Sequence, residues 1–156
     1  MRKKPPVRAS VPRGAAAHEA SGAVRGRAVA AAAALVTVAA GLGIRGVAGG
    51  DPAKYAGDAL YTVLIHALVV VLAPRVRPGT AAGLALAVSW AVELAQLTGV
   101  PEELAHRSTV ARLVLGSTFN APDLLWYAVG AAAAWAVHAG LARGFRRRAW
   151  PDSCEG

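Results

Sequence analysis

Apolar residues in this 156-residue chain fall in four blocks of sixteen to twenty-two, separated by short polar joints. About twenty apolar residues cross the hydrocarbon core of a bilayer as a helix, so each block predicts one membrane span. The first runs from about residue 28 to 44 and is mostly alanine, nearly neutral for insertion, so packing by its neighbours is expected to hold it. The second opens at Asp51-Pro52, a residue pair suited to an N-cap and first helical position, passes Tyr55, Asp58, Tyr61 and His66, and stops at Pro74. The turn 75–79 is too short for anything but antiparallel neighbours. The third block covers about 80–100, with Gly79 and Gly83 as a small-xxx-small packing signal at its start. Residues 101–115 open on proline and two glutamates and predict one short interfacial helix. The fourth span follows to about residue 142, with Asn120 as its N-cap, Pro122 in the first turn and Asp123 at N3.

These elements predict an all-α fold: a four-helix transmembrane bundle with a short interfacial helix between spans three and four. Residues 1–27, rich in Pro, Gly, Ala and Arg, read as a disordered basic tail, residues 28–142 as the membrane domain, and 143–156 as a basic tail. A cleaved signal peptide is the alternative reading of the first span, disfavoured because the 27 residues before it make a very long polar leader.

Composition agrees, since 55% of residues are hydrophobic and only 17% charged, against about 25% charged in soluble domains. The net charge of +8 points to a nucleic-acid ligand only until its distribution is seen. Arg2, Lys3, Lys4, Arg8, Arg13, Arg25 and Arg27 precede span one, Arg75 and Arg77 join spans two and three, and Arg143, Arg146, Arg147 and Arg148 follow span four. Arg45, Lys54, Arg107 and Arg112 occupy the other two joints. Thirteen of the seventeen cations thus fall on one side, the asymmetry of four spans with both termini cytoplasmic. Membrane lipids, not nucleic acid, are the expected partners of these tails. The lone Cys154 excludes an intrachain disulfide.

Candidate chemistry centres on residues 87–97, Ala-Val-Ser-Trp-Ala-Val-Glu-Leu-Ala-Gln-Leu, which carry Glu93 and Gln96 inside an apolar span. A carboxylate at the middle of a membrane helix costs about 2.5–3.5 kcal/mol on insertion scales. Glu93 would sit roughly 20 Å from the inner end of its span and 10 Å from the outer end. Alternating the direction of the spans brings Arg45, Lys54, Asp58, Tyr61, Glu93, Gln96, Arg112, Asp123 and Tyr127 to the extracytoplasmic half. Asp58 and Tyr61, Glu93 and Gln96, Trp90 and Glu93, and Asp123 and Tyr127 are spaced to share helix faces. Plainer accounts exist for each. Asp58 could only pair with Lys54, Asp123 could only cap its helix, Arg45 and Arg112 could only reach headgroups, Glu93 could only lock the bundle, and His66 could only be a packed neutral ring. His138 carries no signal of its own. HExxH, GxSxG and paired intramembrane aspartates are all missing from the sequence, so no enzyme, metal site or cofactor is expected.

Three stretches resemble an uncharacterised bacterial inner-membrane family, domain-of-unknown-function family 2809. They are Gly57-Asp58-Ala-Leu-Tyr61, Glu93-Leu-Ala-Gln96-Leu, and Leu115-Gly-Ser-Thr-Phe119-Asn-Ala-Pro-Asp123-Leu-Leu-Trp-Tyr127-Ala-Val-Gly130, and the resemblance covers about residues 30–140. The order Glu-x-x-Gln, then Arg, then Asp before a closing Gly is also distantly similar to the VanZ family, which is associated with glycopeptide resistance. VanZ-like proteins usually show Asp-Lys and a His at the second span, where this chain has Asp58-Ala-Leu-Tyr61, and an Asn before the final Gly, where it has Tyr127. The resemblance implies a fold and a shared polar site, and no activity.

The expectation is therefore a polytopic inner-membrane protein whose outer-leaflet pocket, formed by Arg45, Asp58, Tyr61, Glu93, Gln96, Arg112, Asp123 and Tyr127, binds a small polar or amphipathic ligand such as an envelope lipid headgroup. Arg45 or Arg112 would be the counter-ion of Glu93. A structural or accessory subunit and a small proton-coupled carrier are the alternatives. The charge split makes one prediction at once: topology reporters fused after residues 50, 77, 118 and 145 should read out, in, out and in. A periplasmic signal at 77 would overturn the arrangement.

Overall fold

The computed structural model describes residues 13–47, 49–115 and 118–148, and among these every element is helical. The helices are α1 (Arg13–Val47), α2 (Asp51–Leu72), α3 (Pro78–Ala95), α4 (Val100–Arg107), α5 (Thr109–Leu115) and α6 (Ala121–Arg148), with a 3₁₀ turn, Gln96–Thr98, extending α3. Four of them are long and apolar enough to cross a membrane, over Ala20–Val47, Asp51–Leu72, Pro78–Thr98 and Ala121–Gly144. The expected all-α four-helix bundle is present.

The packing is inverted relative to a soluble bundle. Leu35, Val36, Leu42, Leu68, Leu84, Val88, Leu125, Val129 and Val137 face outward, whereas the largest fully buried side chains are Glu93, Thr62 and Ser89. Lipid offers large aliphatic side chains nothing to escape from, so the interior selects for close approach and for hydrogen bonding. This distribution, on four apolar helices, belongs to a multi-pass membrane protein.

Helices α2, α3 and α6 pack on one another, and α1 lies against α2. On α3 the buried residues are Ala81, Ala85, Ser89 and Glu93, one every four residues, a single stripe along the helix. The stripe on α2 includes Thr62, His66 and Val70 at the same spacing. On α6 it runs through Asp123, Tyr127, Ala131 and Ala134. The tightest contact is at Gly130, where a Cβ would lie 2.9 and 3.0 Å from the carbonyl carbon and Cα of Ala59. Only a missing side chain lets the α2 and α6 backbones meet there.

Several expectations need correction. Gly79 and Gly83 have no neighbour within 4 Å of a built Cβ, so the small-xxx-small pair at the start of α3 packs against nothing described. The close contact needs a glycine where two axes converge, and they converge at Gly130. The first span packs on α2, as expected, but from one side: Ala30, Ala34 and Thr37 are buried, and most of its other residues are exposed. Helix α1 also begins at Arg13, inside the stretch read as a disordered tail, because Ala15, Ala16, Ala17, Ala20 and Ala23 are strong helix formers contiguous with the span. Residues 1–12, and with them the rest of that expected tail, lie outside the described residues, as do Cys154, Gly116 and Ser117. Helix α2 starts one residue early, with Asp51 as its first residue and Gly50 as cap at φ 76°, a conformation suited to glycine. The single helix expected over 101–115 is two, α4 and α5, broken at Ser108, whose backbone is extended.

The Gly130 contact makes a prediction. Gly130→Ala should lower stability by about 1–3 kcal/mol, the usual cost of overpacking, despite alanine's better helix propensity. Gly83→Ala should leave stability equal or slightly higher. Denaturant-titrated unfolding in micelles, followed by circular dichroism, measures both; equal effects at the two positions would mean that the helices do not approach at Gly130.

Candidate functional site

Glu93 occupies the last buried position of the α3 stripe and is 1% exposed. Its Oε2 accepts the Tyr127 hydroxyl at 2.9 Å, and its Oε1 accepts the backbone N–H of Asn120 at 2.7 Å. Both oxygens are therefore bonded, one from inside α6 and one from the residue that precedes it. Asn120 occupies the N-cap position of α6. In a capping box the N3 carboxylate would take the N-cap backbone N–H. Here Glu93 of another helix takes it.

Asp123, at N3, is thereby released. Its Oδ1 accepts the Asn120 side-chain amide at 2.6 Å, and its Oδ2 accepts the Lys54 ammonium in a very short contact. Lys54 also lies 3.5 Å from Asp58 Oδ2, one turn on along α2. That distance is an ion pair without hydrogen-bond geometry, and Asp58 Oδ2 is buried with no hydrogen-bond partner. Exposure falls along the cluster: the Lys54 side chain is 44% exposed, Asp58 18% and Asp123 5%. Beside Lys54, Tyr55 stacks on Trp126 at 5.4 Å between centroids, and the Lys54 ammonium lies 5.8 Å from the Tyr55 ring. Tyr61 leans on Tyr127 at 6.2 Å.

Of the residues proposed from the sequence, Asp58, Tyr61, Glu93, Asp123 and Tyr127 come together at the end of the bundle where α1 joins α2 and α3 leads to α6. Gln96 stands at the rim, donating its amide to the Leu115 carbonyl at 2.7 Å and tying α5 to the end of α3; its Oε1 is buried without a partner. Arg45 and Arg112 do not join. Both are exposed, and neither guanidinium bonds to the cluster among the described residues. The cation within the cluster is Lys54. The plain account of Asp58 as a partner of Lys54 is half right, since the closer contact of that lysine is Asp123. The account of Asp123 as only a cap fails, because it holds an ammonium from another helix.

The sequence reading overlooked three further contacts. Trp90 donates its indole N–H to the Leu124 carbonyl at 3.1 Å, closing α3 onto the first turn of α6. One turn below Glu93, Ser89 gives its proton to the Ala85 carbonyl and stands 2.9 Å from Thr62, whose hydroxyl is then the donor across the α2–α3 contact. One turn further along α2, His66 Nε2 lies 3.2 Å from His138 Nδ1, so the histidine passed over as uninformative is the partner of the other. The i, i+4 spacing of Asp58, Thr62 and His66 was the available signal.

A family model described as "Protein of unknown function (DUF2809)" matches residues 52–131. The chain belongs to the DUF2809 family. The DUF2809 stretch begins at α2 and ends within α6, so it holds every member of the cluster and leaves out α1, which is narrower than the resemblance drawn from the sequence. No curated protein and no solved structure matches the chain.

Chemically, the cluster sets three carboxylates, Asp58, Glu93 and Asp123, against one ammonium among the described residues. Removing the ammonium leaves two carboxylates close together without compensation. Lys54→Met should therefore destabilise the bundle by about 1–3 kcal/mol, below the figure for a wholly buried pair because the lysine is partly exposed. Arg45→Met and Arg112→Met should change stability by less than about 0.5 kcal/mol. Thermal unfolding of the three variants in one detergent decides the matter; equal losses would restore an arginine counter-ion.

Proposed function

We propose that this chain is a multi-pass protein of the bacterial plasma membrane, with both termini cytoplasmic, and that the Asp58–Glu93–Asp123 cluster opens to the outer leaflet. There it binds the cationic end of a small polar or amphipathic ligand, an amine-bearing lipid headgroup being the chemical type. The observation that carries this reading is the charge imbalance: three carboxylates face one ammonium, and Asp58, whose side chain is 18% exposed, has a carboxylate oxygen, Oδ2, without a hydrogen-bond donor. A second ammonium from a ligand would supply that donor and offset the excess charge in a medium where uncompensated charge is expensive. Tyr55 and Trp126 beside Lys54 provide flat aromatic surface at the same opening, suited to contact with a cationic group.

The second reading is a structural or accessory subunit, favoured by Glu93 itself. With both oxygens bonded and 1% exposure, Glu93 acts as a helix lock and presents no surface to a ligand. The two readings divide the cluster: Glu93 holds the architecture, and Asp58 meets the ligand.

Asp58→Asn separates them. The substitution removes a charge while keeping the shape and should leave unfolding within about 1 kcal/mol of the parent. Binding of a phosphatidylethanolamine probe to the full chain in phosphatidylcholine nanodiscs should weaken by about tenfold, the worth of a charge-assisted hydrogen bond. Unchanged binding in Asp58→Asn, or no preference for the ethanolamine lipid in the parent protein, would leave the cluster as scaffold alone.

A further inference from the structure

A second feature lies at the opposite end of the bundle, away from the carboxylates. Helix α1 rests on α2, and the space between α1, α2 and α6 stays open as a groove of about 520 Å³. That is within the ordinary range of ligand sites, about 300–1,000 Å³. Its walls are apolar and mostly small, Gly26, Ala30 and Ala33 on α1 facing Ala133, Ala134 and Val137 on α6. Small residues on both walls leave a slot and not a broad cavity. Three polar side chains interrupt it, Arg25, His66 and His138. Arg25 lines one end, exposed, with no hydrogen bond or ion pair among the described residues. His66 lines the deeper part, is 5% exposed, and has a buried Nδ1 without a hydrogen-bond partner.

We infer that this groove is a binding site for an anionic glycerophospholipid, with the phosphate at Arg25, an ester carbonyl at His66 and an acyl chain lying between α1 and α6. The placement follows from the register of α1 on α2. Arg27 donates to the Val71 carbonyl at 2.9 Å, and a Cβ at Gly26 would meet the Pro74 carbonyl at 4.0 Å, so Arg25 lies beside the C-terminal end of α2. His66 is eight residues back from Pro74, about 12 Å along the helix. An extended arginine covers part of that length, and the phosphate-to-ester link of a glycerolipid covers the rest.

The histidine pair supplies the polarity. One proton lies between His66 Nε2 and His138 Nδ1. When His138 is its donor, His66 carries its own proton on Nδ1, and that N–H needs an acceptor; when His66 is the donor, its Nδ1 is itself an acceptor. We assign the first state, which a protonless ester oxygen completes and an acyl chain alone does not. The charge also fits: Arg25, Arg27, Arg75, Arg77 and Arg143 all lie at this end, so an anionic headgroup is favoured over a zwitterionic one. Neither observation involves Asp58, Glu93 or Asp123, so the inference stands apart from the function proposed for that cluster.

The test uses the full chain in phosphatidylcholine nanodiscs, with phosphatidylglycerol bearing a diazirine on one acyl chain, and adducts mapped by peptide mass spectrometry. The expected adducts fall on Val63, Ala133 and Val137. Ala133→Phe, which fills the slot from an exposed position, should abolish them. Arg25→Gln should cut labelling by about tenfold, to the level of a phosphatidylcholine probe. An ether-linked phosphatidylglycerol, which lacks the carbonyl, should compete about threefold to tenfold more weakly, the worth of one hydrogen bond. Arg25 and Ala133 are both exposed, and unchanged melting of the two variants confirms that folding is intact. Adducts spread over the outward residues Leu68 and Leu84, equal labelling by the zwitterionic probe, or equal competition by ester and ether lipids would each overturn the proposal.

Discussion

A carboxylate placed in a membrane span must be given donors, because lipid has none to offer and the insertion cost stands until they are found. Glu93 takes one from the Tyr127 hydroxyl and one from the backbone of Asn120. Much of the molecule's upper half follows from that. The chain after α5 has to return to the level of Glu93 to present the Asn120 N–H, so α6 starts within the bundle and not above it. Tyr127, two turns into α6, must face α3. Because Glu93 takes the N–H that Asp123 would otherwise accept, Asp123 is left to receive Lys54, and α2 is drawn into the same network. Three helices are tied together through one buried acid.

Below that level the bundle repeats the same solution with weaker groups. Thr62 meets Ser89, and His66 meets His138, at successive turns of α2. Interhelical hydrogen bonds inside membranes average only about 0.6 kcal/mol, because the separated helices also find partners in the membrane. These contacts do less for stability than for register: sliding α3 along α2 by one turn would separate Ser89 from Thr62 and carry Glu93 away from Tyr127 and Asn120. The close approach at Gly130 acts in the same direction, since only one residue on α6 lets the α2 backbone come so near. Helix α1, by contrast, meets the bundle chiefly on α2, through Ala30, Ala34, Thr37 and the Arg27 contact to Val71, and leaves most of its other side chains exposed. That partial docking is why a groove remains on its flank, and the family match beginning at residue 52 is consistent with α1 being peripheral to the polar core.

The number and order of the spans were legible in the chain because they depend on one-dimensional quantities: the length of an apolar run, the proline that ends it, the length of a joint. The unusual status of Glu93 was legible for the same reason, since its cost is set by its position along a span. Spacing of three and four residues also placed Asp58 with Tyr61 and Asp123 with Tyr127 on shared faces. None of this required knowing which helix stands beside which.

Partner choice did require it. Composition put Arg45 and Arg112 in the right half of the molecule, but a guanidinium counts only if its helix face turns inward, and neither does. Lys54 was read as the local neighbour of Asp58, although its nearer contact is Asp123, 69 residues away. Asn120 was read as a cap, and its backbone proton serves a helix 27 residues earlier. Gly79 and Gly83 looked like packing glycines, and Gly130 is the one that packs. The sequence by itself determined that these groups had to be buried together and satisfied; the tertiary structure decided who satisfies whom, because a hydrogen bond depends on ångström-scale distance and angle between helices that no spacing within one helix records.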